Sequence, residues 1–341
     1  MNKKICLIGC GPHARKAYAP SLIKYTTEVG GIDYAACCSR NIDKAKSFQQ
    51  LSNSKKIYTE YKEMLEKERP DAVLLVAPYK YISKIAIDSI NAGCAVMIEK
   101  PPGKNLAEYK NIVRAIQRKK VINMIAFNRR YMPLIKELMK WIYHDEVPFR
   151  LQHIDYKMYR VKRCEPDFYA TAIHGIDLVS YIAQASYSNI NINYRKMEHF
   201  GSGVVNIEMQ GNLTSGTTAH LSFNPVTGIL IERIVACGDN STIFVDLPVW
   251  NNLDSPGIIR QFKDGVFLRE KLGSDLTGEG LIDTNGFYNQ LYEFLSCVCK
   301  SKITSNNIHS AMDTMKMFEH IRKYKVTYKV PKFINGFFKK G

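Results

Sequence analysis

Two short stretches of this chain carry glycines and polar side chains at spacings that suit a phosphate-rich ligand. Gly9-Cys10-Gly11-Pro12-His13-Ala14 reads G-x-G-x-x-A, between an apolar run at residues 4–9 and a helical pattern that opens at Ala14. In that strand–turn–helix setting Gly9 permits a tight turn and Gly11 lets the main chain approach a pyrophosphate. Ala14 is small enough for helix and strand to pack closely. The helix start offers free N–H groups and a partial positive charge to phosphate oxygens, with Pro12 and His13 beside them. The turn is expected to bind a dinucleotide. The second stretch is the tip of the next strand, where Ser39-Arg40 follows Cys38 and Lys44 stands a little further on. NAD-binding folds place a carboxylate there for the adenosine ribose, and a carboxylate repels a 2′-phosphate. A hydroxyl and a guanidinium attract one. NADP(H) is therefore the preferred cofactor, with NAD(H) as the alternative.

The elements that hold these residues follow a β-α rhythm. Strand signals fall at residues 4–9, 32–38, 71–77, 95–99 and 121–127, and helix signals at 14–24, 42–51, 58–67, 82–92 and 106–118. Such alternation calls for a doubly wound parallel α/β sheet of the Rossmann type, assigned to residues 1–125. The texture then changes. Residues 149–161 alternate polar and apolar, and further strand signals lie at 204–213, 217–223, 230–237 and 241–245, with helices at 169–183, 285–299 and 310–324. Residues 126–325 are expected to form an α+β domain with a large, open, mainly antiparallel sheet. An open sheet exposes an apolar face, which predicts a homodimer or homotetramer through the C-terminal sheet. Residues 326–341 form a basic tail with Phe333, Phe337 and Phe338, expected to dock or fray.

Composition narrows the function classes. An apolar fraction of 45% and a charged fraction of 23% fit a globular protein. No run approaches the roughly 20 apolar residues that a spanning helix needs, so stable membrane insertion is not expected. The start shows no signal-peptide pattern, and the nine scattered cysteines form neither a disulfide framework nor a metal-ligand spacing, so the cytoplasm is expected and a metal is not. The net charge of +16 is spread along the chain without a nucleic-acid-binding signature, and its positive field favours an acidic small molecule.

Glu99-Lys100-Pro101-Pro102, taken with the glycine turn, the segment from Ala126 to Pro133 and Ile173-His174-Gly175-Ile176-Asp177, resembles the Gfo/Idh/MocA family (glucose-fructose oxidoreductase, inositol dehydrogenase, rhizopine catabolism) over nearly the whole chain. The resemblance implies an oxidoreductase that moves a hydride between NADP(H) and a carbonyl or secondary alcohol of a sugar-derived small molecule. Lys100, at the carboxyl edge of the sheet, is implied to bind the substrate oxygen and stabilise a developing alkoxide. His174 is implied to face the nicotinamide and exchange the proton, and Asp177, one helical turn on, to orient its ring. Ala77, Pro78, Glu99, Asn128 and Arg130 are assigned to the cofactor. Arg129 is a candidate for an anionic substrate group, and Tyr156 and Tyr169 are candidates for substrate hydroxyl contacts. Two departures stand out: Ala170 occupies a position where many relatives carry aspartate, and Ile82 one where they often carry histidine. These keep open imine or conjugated double-bond reduction on a non-sugar metabolite, beside a non-catalytic NADP(H) sensor.

Overall fold

The computed structural model describes residues 2–278 and 280–330. Apolar runs that can be buried on both faces build the first sheet. Its elements are β1 (Lys3–Ile8), a π-helical turn Ala14–Tyr18 continuing into α1 (Ala19–Glu28), β2 (Ile32–Cys38), α2 (Ile42–Ser52), β3 (Lys56–Tyr58), α3 (Tyr61–Glu68), β4 (Ala72–Leu75), α4 (Tyr79–Asn91), β5 (Ala95–Ile98), α5 (Leu106–Lys119) and β6 (Asn123–Ile125). The strands are all parallel, in the order β3-β2-β1-β4-β5-β6. The order reverses between β1 and β4, so their carboxyl ends part and leave a crevice where ligands of such sheets bind. One expectation fails here. Tyr58 does not start a helix, because Ile57 and Tyr58 pair with Cys37 and Cys38 as an edge strand, and the helix begins at Tyr61.

The second sheet has nine strands in the order β14-β13-β12-β11-β7-β10-β9-β8-β15. Its elements are α6 (Pro133–Tyr143), β7 (His153–Tyr159), α7 (Tyr169–Ile182), β8 (Tyr187–Lys196), β9 (Val205–Leu213), β10 (Thr218–Asn224), β11 (Ile231–Gly238), β12 (Ser241–Asp246), β13 (Ile258–Lys263), β14 (Val266–Leu272), α8 (Gly273–Thr277), α9 (Leu281–Thr284), α10 (Phe287–Lys300), α11 (Met312–Arg322) and β15 (Thr327–Lys329). β7 and β10 run parallel and the other neighbours antiparallel. Strict alternation in β7 sends Ile154, Tyr156 and Met158 into the core, as the period of two requires. The sequence reading does not anticipate α6, β8, β13, β14 or β15. In β8 the asparagines between Tyr187, Ile190 and Ile192 disguise a strand with one buried face. β15 docks part of the tail against β8, while Phe333, Phe337 and Phe338 lie outside the described residues.

The two sheets are tied together by helices. α10 packs Phe294 and Leu295 with Leu7 and Leu74 on one face of the parallel sheet, and α11 packs Met315 and Phe318 with Val73 and Ile98 on the other. α7 is apolar nearly all round, as a helix buried on every side must be. Its Ile173 joins the core of the parallel sheet and its Ile176 joins that of the antiparallel sheet. Among the described residues, no helix is long and apolar enough to cross a membrane.

Candidate active site

A cleft of about 1330 Å³ runs along the carboxyl edge of the parallel sheet and reaches α7. At its centre is the glycine turn. Gly9 has φ +109°, and a Cβ there would stand 2.5 Å from the Val76 carbonyl oxygen, so only glycine fits. A Cβ on Gly11 would meet nothing within 4 Å, which leaves its main chain open to a bulky ligand. Ala14 is fully buried behind the turn, and the helical turn it opens has no acid. An anion at this helix start therefore meets N–H groups, and the turn itself adds no acid against it. Pro12 and His13 line the cleft, as do Ala77 and Pro78 across from them. Towards one end stand Ser39, Arg40 and Lys44; the Arg40 guanidinium lies 5.0 Å from the centre of the Tyr81 ring, and both cations are exposed. An open phosphate cradle followed by a cationic tip fits an NAD(P) dinucleotide.

The opposite end is built from buried charge. Glu99 follows β5 and accepts from Tyr18 Oη (2.7 Å) and the Lys100 main-chain N–H (3.2 Å), and its Oε1 is 3.0 Å from His13 Nε2. Burial raises its pKa, but His13, Lys100 and Tyr18 outweigh that and hold the carboxyl below its ordinary value. The Lys100–Pro101 peptide is cis. Lys100 Nζ donates to the Ala170 carbonyl oxygen at 3.3 Å, so this position, where the resemblance leads to an expectation of aspartate, presents main chain instead. Burial, against the pull of Glu99 and with the push of Arg129, Arg163 and Arg160, lowers the Lys100 pKa to about 8. His174 lines the cleft from α7, 7% exposed, and its Nδ1 has no hydrogen-bond partner. Burial first, and then Arg129, Lys100 and Arg160, push its pKa well below 6.5, so the ring is neutral. Gly175 lets the helix lie this close to the sheet, since a Cβ there would overlap the Tyr156 and Phe223 rings.

Several expected roles meet a different geometry. Asp177 does not orient His174: it accepts from Arg130 Nε (2.8 Å), Arg130 Nη2 (2.6 Å) and Thr314 Oγ1 (3.0 Å). Neither Asp177 nor Arg130 lines the cleft; they neutralise each other between the single helical turn Asn128–Tyr131 and α7. Tyr156 is wholly buried with its hydroxyl on Glu232 Oε2 (2.9 Å), and Tyr169 packs on Phe318, so neither ring lines the cleft. Ile82 is a core residue of α4. Asn128 and Arg129 do line the cleft.

The sequence reading misses Arg160, Arg163 and Glu232. Arg129 gives Nε (3.1 Å) and Nη2 (2.6 Å) to Glu232, and Arg160 Nη2 shares the same carboxylate. Burial raises the Glu232 pKa, yet the two guanidiniums hold it down at about 2. Arg163 lines the cleft beside Arg160 and pairs with Glu165. A signal existed: Glu232 is an acid inside an apolar strand, and buried acids demand a cation.

Residues 3–127 match the model of the oxidoreductase family with an NAD-binding Rossmann fold, GFO_IDH_MocA. The chain is similar to a trans-1,2-dihydrobenzene-1,2-diol dehydrogenase of Xenopus laevis, 28% identical over 103 residues, covering 30% of this chain and 31% of that protein. It is also similar to a scyllo-inositol 2-dehydrogenase (NADP(+)) of Bacillus subtilis, 25% identical over 121 residues, covering 36% of this chain and 37% of the relative. The matched regions thus span about a third of these relatives' lengths. Over the whole fold, a crystal structure of a dehydrogenase from Chromobacterium violaceum superposes with a TM-score of 0.82 at 18% identity, covering 95% of both chains. That likeness fixes the architecture of both sheets.

Proposed function

Given that residues 3–127 belong to the Gfo/Idh/MocA oxidoreductase family with its NAD-binding Rossmann fold, we propose that the protein is an NADP(H)-dependent oxidoreductase acting on a carbonyl or secondary alcohol of a polyhydroxylated small molecule. One observation carries this reading. Lys100 and His174 come from different sheets' neighbourhoods, yet line the same cleft as the glycine turn. The nicotinamide, when bound, supplies or accepts the hydride. In reduction, the Lys100 ammonium holds the substrate oxygen and passes it a proton as negative charge develops. In oxidation, the neutral amine accepts the proton of the alcohol. His174, expected from the resemblance to exchange the proton, has its pKa held well below the ordinary value by burial and nearby cations, so in this proposal the neutral ring offers the same oxygen a second hydrogen bond and leaves the proton to Lys100.

Preference for NADP(H) rests on Ser39, Arg40 and Lys44 at and beyond the tip of β2, a tip whose own residues include no acid, and the Bacillus relative's name carries the same cofactor. Residues 1–125 serve as the cofactor domain and 126–325 as the substrate domain. Exposed Phe244 and Phe267 on the second sheet, with Phe262 between them, support a homodimer or homotetramer through that sheet. Nine free thiols suit a reducing compartment such as the cytoplasm. The test is NADPH oxidation with a panel of keto-sugars and other small carbonyl compounds, run beside NADH. Turnover with NADPH supports the proposal. Tight NADPH binding without turnover of any carbonyl compound, or of any imine or conjugated alkene, makes the protein a sensor.

A further inference from the structure

The two adjacent arginines of the turn Asn128–Tyr131 are used in opposite ways. Arg130 meets Asp177 one to one, and the pair is neutral and shut away from the cleft. Arg129 meets Glu232, but Arg160 occupies the same carboxylate, so two guanidiniums share one acid. Glu232 has 0% exposure and does not line the cleft, whereas Arg129 and Arg160, 6% and 4% exposed, both do. Its Oε2 also accepts from Tyr156, and Arg160 Nη1 is taken by the main-chain oxygens of Tyr159 and Ile231. The cluster therefore presents one uncompensated positive charge to the cleft, in a nearly dry setting.

A second buried guanidinium is costly for a purely structural cluster, since the Arg130–Asp177 pair shows that one suffices. Lys100 adds another cation a short way off, its ammonium on a carbonyl oxygen rather than a carboxylate. Three acids line the same end, Glu99, Glu165 and Asp167, but His13 and Tyr18 hold the first, Arg163 holds the second and Tyr79 Oη donates to the third. His174 lines this end as well, and its buried Nδ1 has no hydrogen-bond partner among the described residues.

We propose that Arg129 and Arg160 form a subsite for an anionic group, a carboxylate or a phosphate, carried by the substrate beside its reacting carbon. The subsite rests on the oxidoreductase reading above for what lies at Lys100, and adds the substrate class: sugar acids or sugar phosphates rather than neutral polyols. Planar guanidiniums suit either oxyanion through paired, charge-assisted hydrogen bonds. Binding there also serves the chemistry. Burial depresses the Lys100 pKa first and Arg129, Arg163 and Arg160 add to it; an anion beside Arg129 and Arg160 offsets the cations' share and helps the lysine keep its proton until transfer.

Calorimetric titration of the NADPH-loaded full chain with D-glucuronate, D-glucose 6-phosphate and D-glucose tests this directly, in about 0.15 M salt to screen the general positive field. One of the charged sugars is expected to bind about 10- to 100-fold more tightly than glucose, as for hydrogen bonds to a charged group. Which one does so identifies the oxyanion. Arg160→Met is expected to abolish the difference, and Glu232→Gln, which keeps both guanidiniums and removes the opposing charge, to preserve or increase it. Equal binding of all three sugars by the wild-type protein, or none by the charged ones, overturns the subsite whether or not the variants fold. The two readings fail separately. Anion preference without turnover upholds the subsite and contradicts the oxidoreductase, whereas turnover of neutral sugars with no anion preference does the reverse.

Discussion

The two ends of the cleft are both cationic, but they hold their charge in different ways. At the end beside the tip of β2, Arg40 and Lys44 are exposed, and Arg40 rests on the face of Tyr81. Their charges are screened by water, so removing one affects the ligand it touches and little else. At the end beside β5 and α7, Arg129 and Arg160 are buried and Lys100 is half-buried, so charges interact strongly and alter their neighbours' protonation. The exposed end is suited to choosing a cofactor. The buried end is suited to tuning a proton.

This contrast can be broken at several points. The largest effect is expected where a buried charge loses its partner. Arg130→Met leaves Asp177, 1% exposed, without its guanidinium and should cost roughly 3–5 kcal/mol in denaturant unfolding at neutral pH. Burial already raises the Asp177 pKa, and the variant raises it further. A folded-state pKa above the unfolded value costs stability above the unfolded pKa, so the penalty should shrink as the pH falls and the carboxyl takes up its proton. Next, Lys100→Met should lower carbonyl reduction about 100- to 1000-fold, as for loss of one donor at a developing oxyanion, while the dissociation constant for NADPH barely moves.

Smaller effects belong to the exposed end. Arg40→Ala should weaken NADPH about 10- to 100-fold through loss of a charge-assisted phosphate contact, and leave NADH binding and stability nearly unchanged. An equal loss for both cofactors would place Arg40 off the 2′-phosphate. The mildest test is pH. With Lys100 at about 8, kcat/KM for reduction should be level below that pH and fall about tenfold per unit above it. The oxidative direction should show the opposite limb, rising to a plateau as the amine loses its proton. A profile that lacks this limb, or keeps it in Lys100→Met, assigns the proton to another group.

The same contrast explains what the sequence made legible. Gly9, Gly11 and Ala14 act through one local turn, and the apolar runs of β1, β4 and β5 declare a parallel sheet, so both could be found in a window of a few residues. The Ser39-Arg40 tip is local in the same way. The arginine cluster is not: Arg129 and Glu232 lie 103 residues apart, and Arg160 and Glu232 72 apart, joined by the pairing of β7 with β11. No spacing rule connects them. Asp177 was misplaced for a related reason, since helical periodicity puts it near His174 but does not reveal that Arg130 claims it first. Strands β13 and β14 were hidden by their charges and weak burial: β13 buries only Ile259 and Gln261, and the edge strand β14 buries none of its residues and turns Arg269 and Lys271 to Asp145 and Glu137.

Isotope transfer tests the central claim most directly. NADPH deuterated at the nicotinamide C4 position that delivers the hydride, incubated with the protein and a carbonyl substrate found in the panel, should leave deuterium on the new carbinol carbon. Lys100→Met should bind the same cofactor and transfer the label at a far lower rate. Carbinol formed without label from either C4-labelled face of NADPH, or label transferred at the wild-type rate by Lys100→Met, would contradict the account.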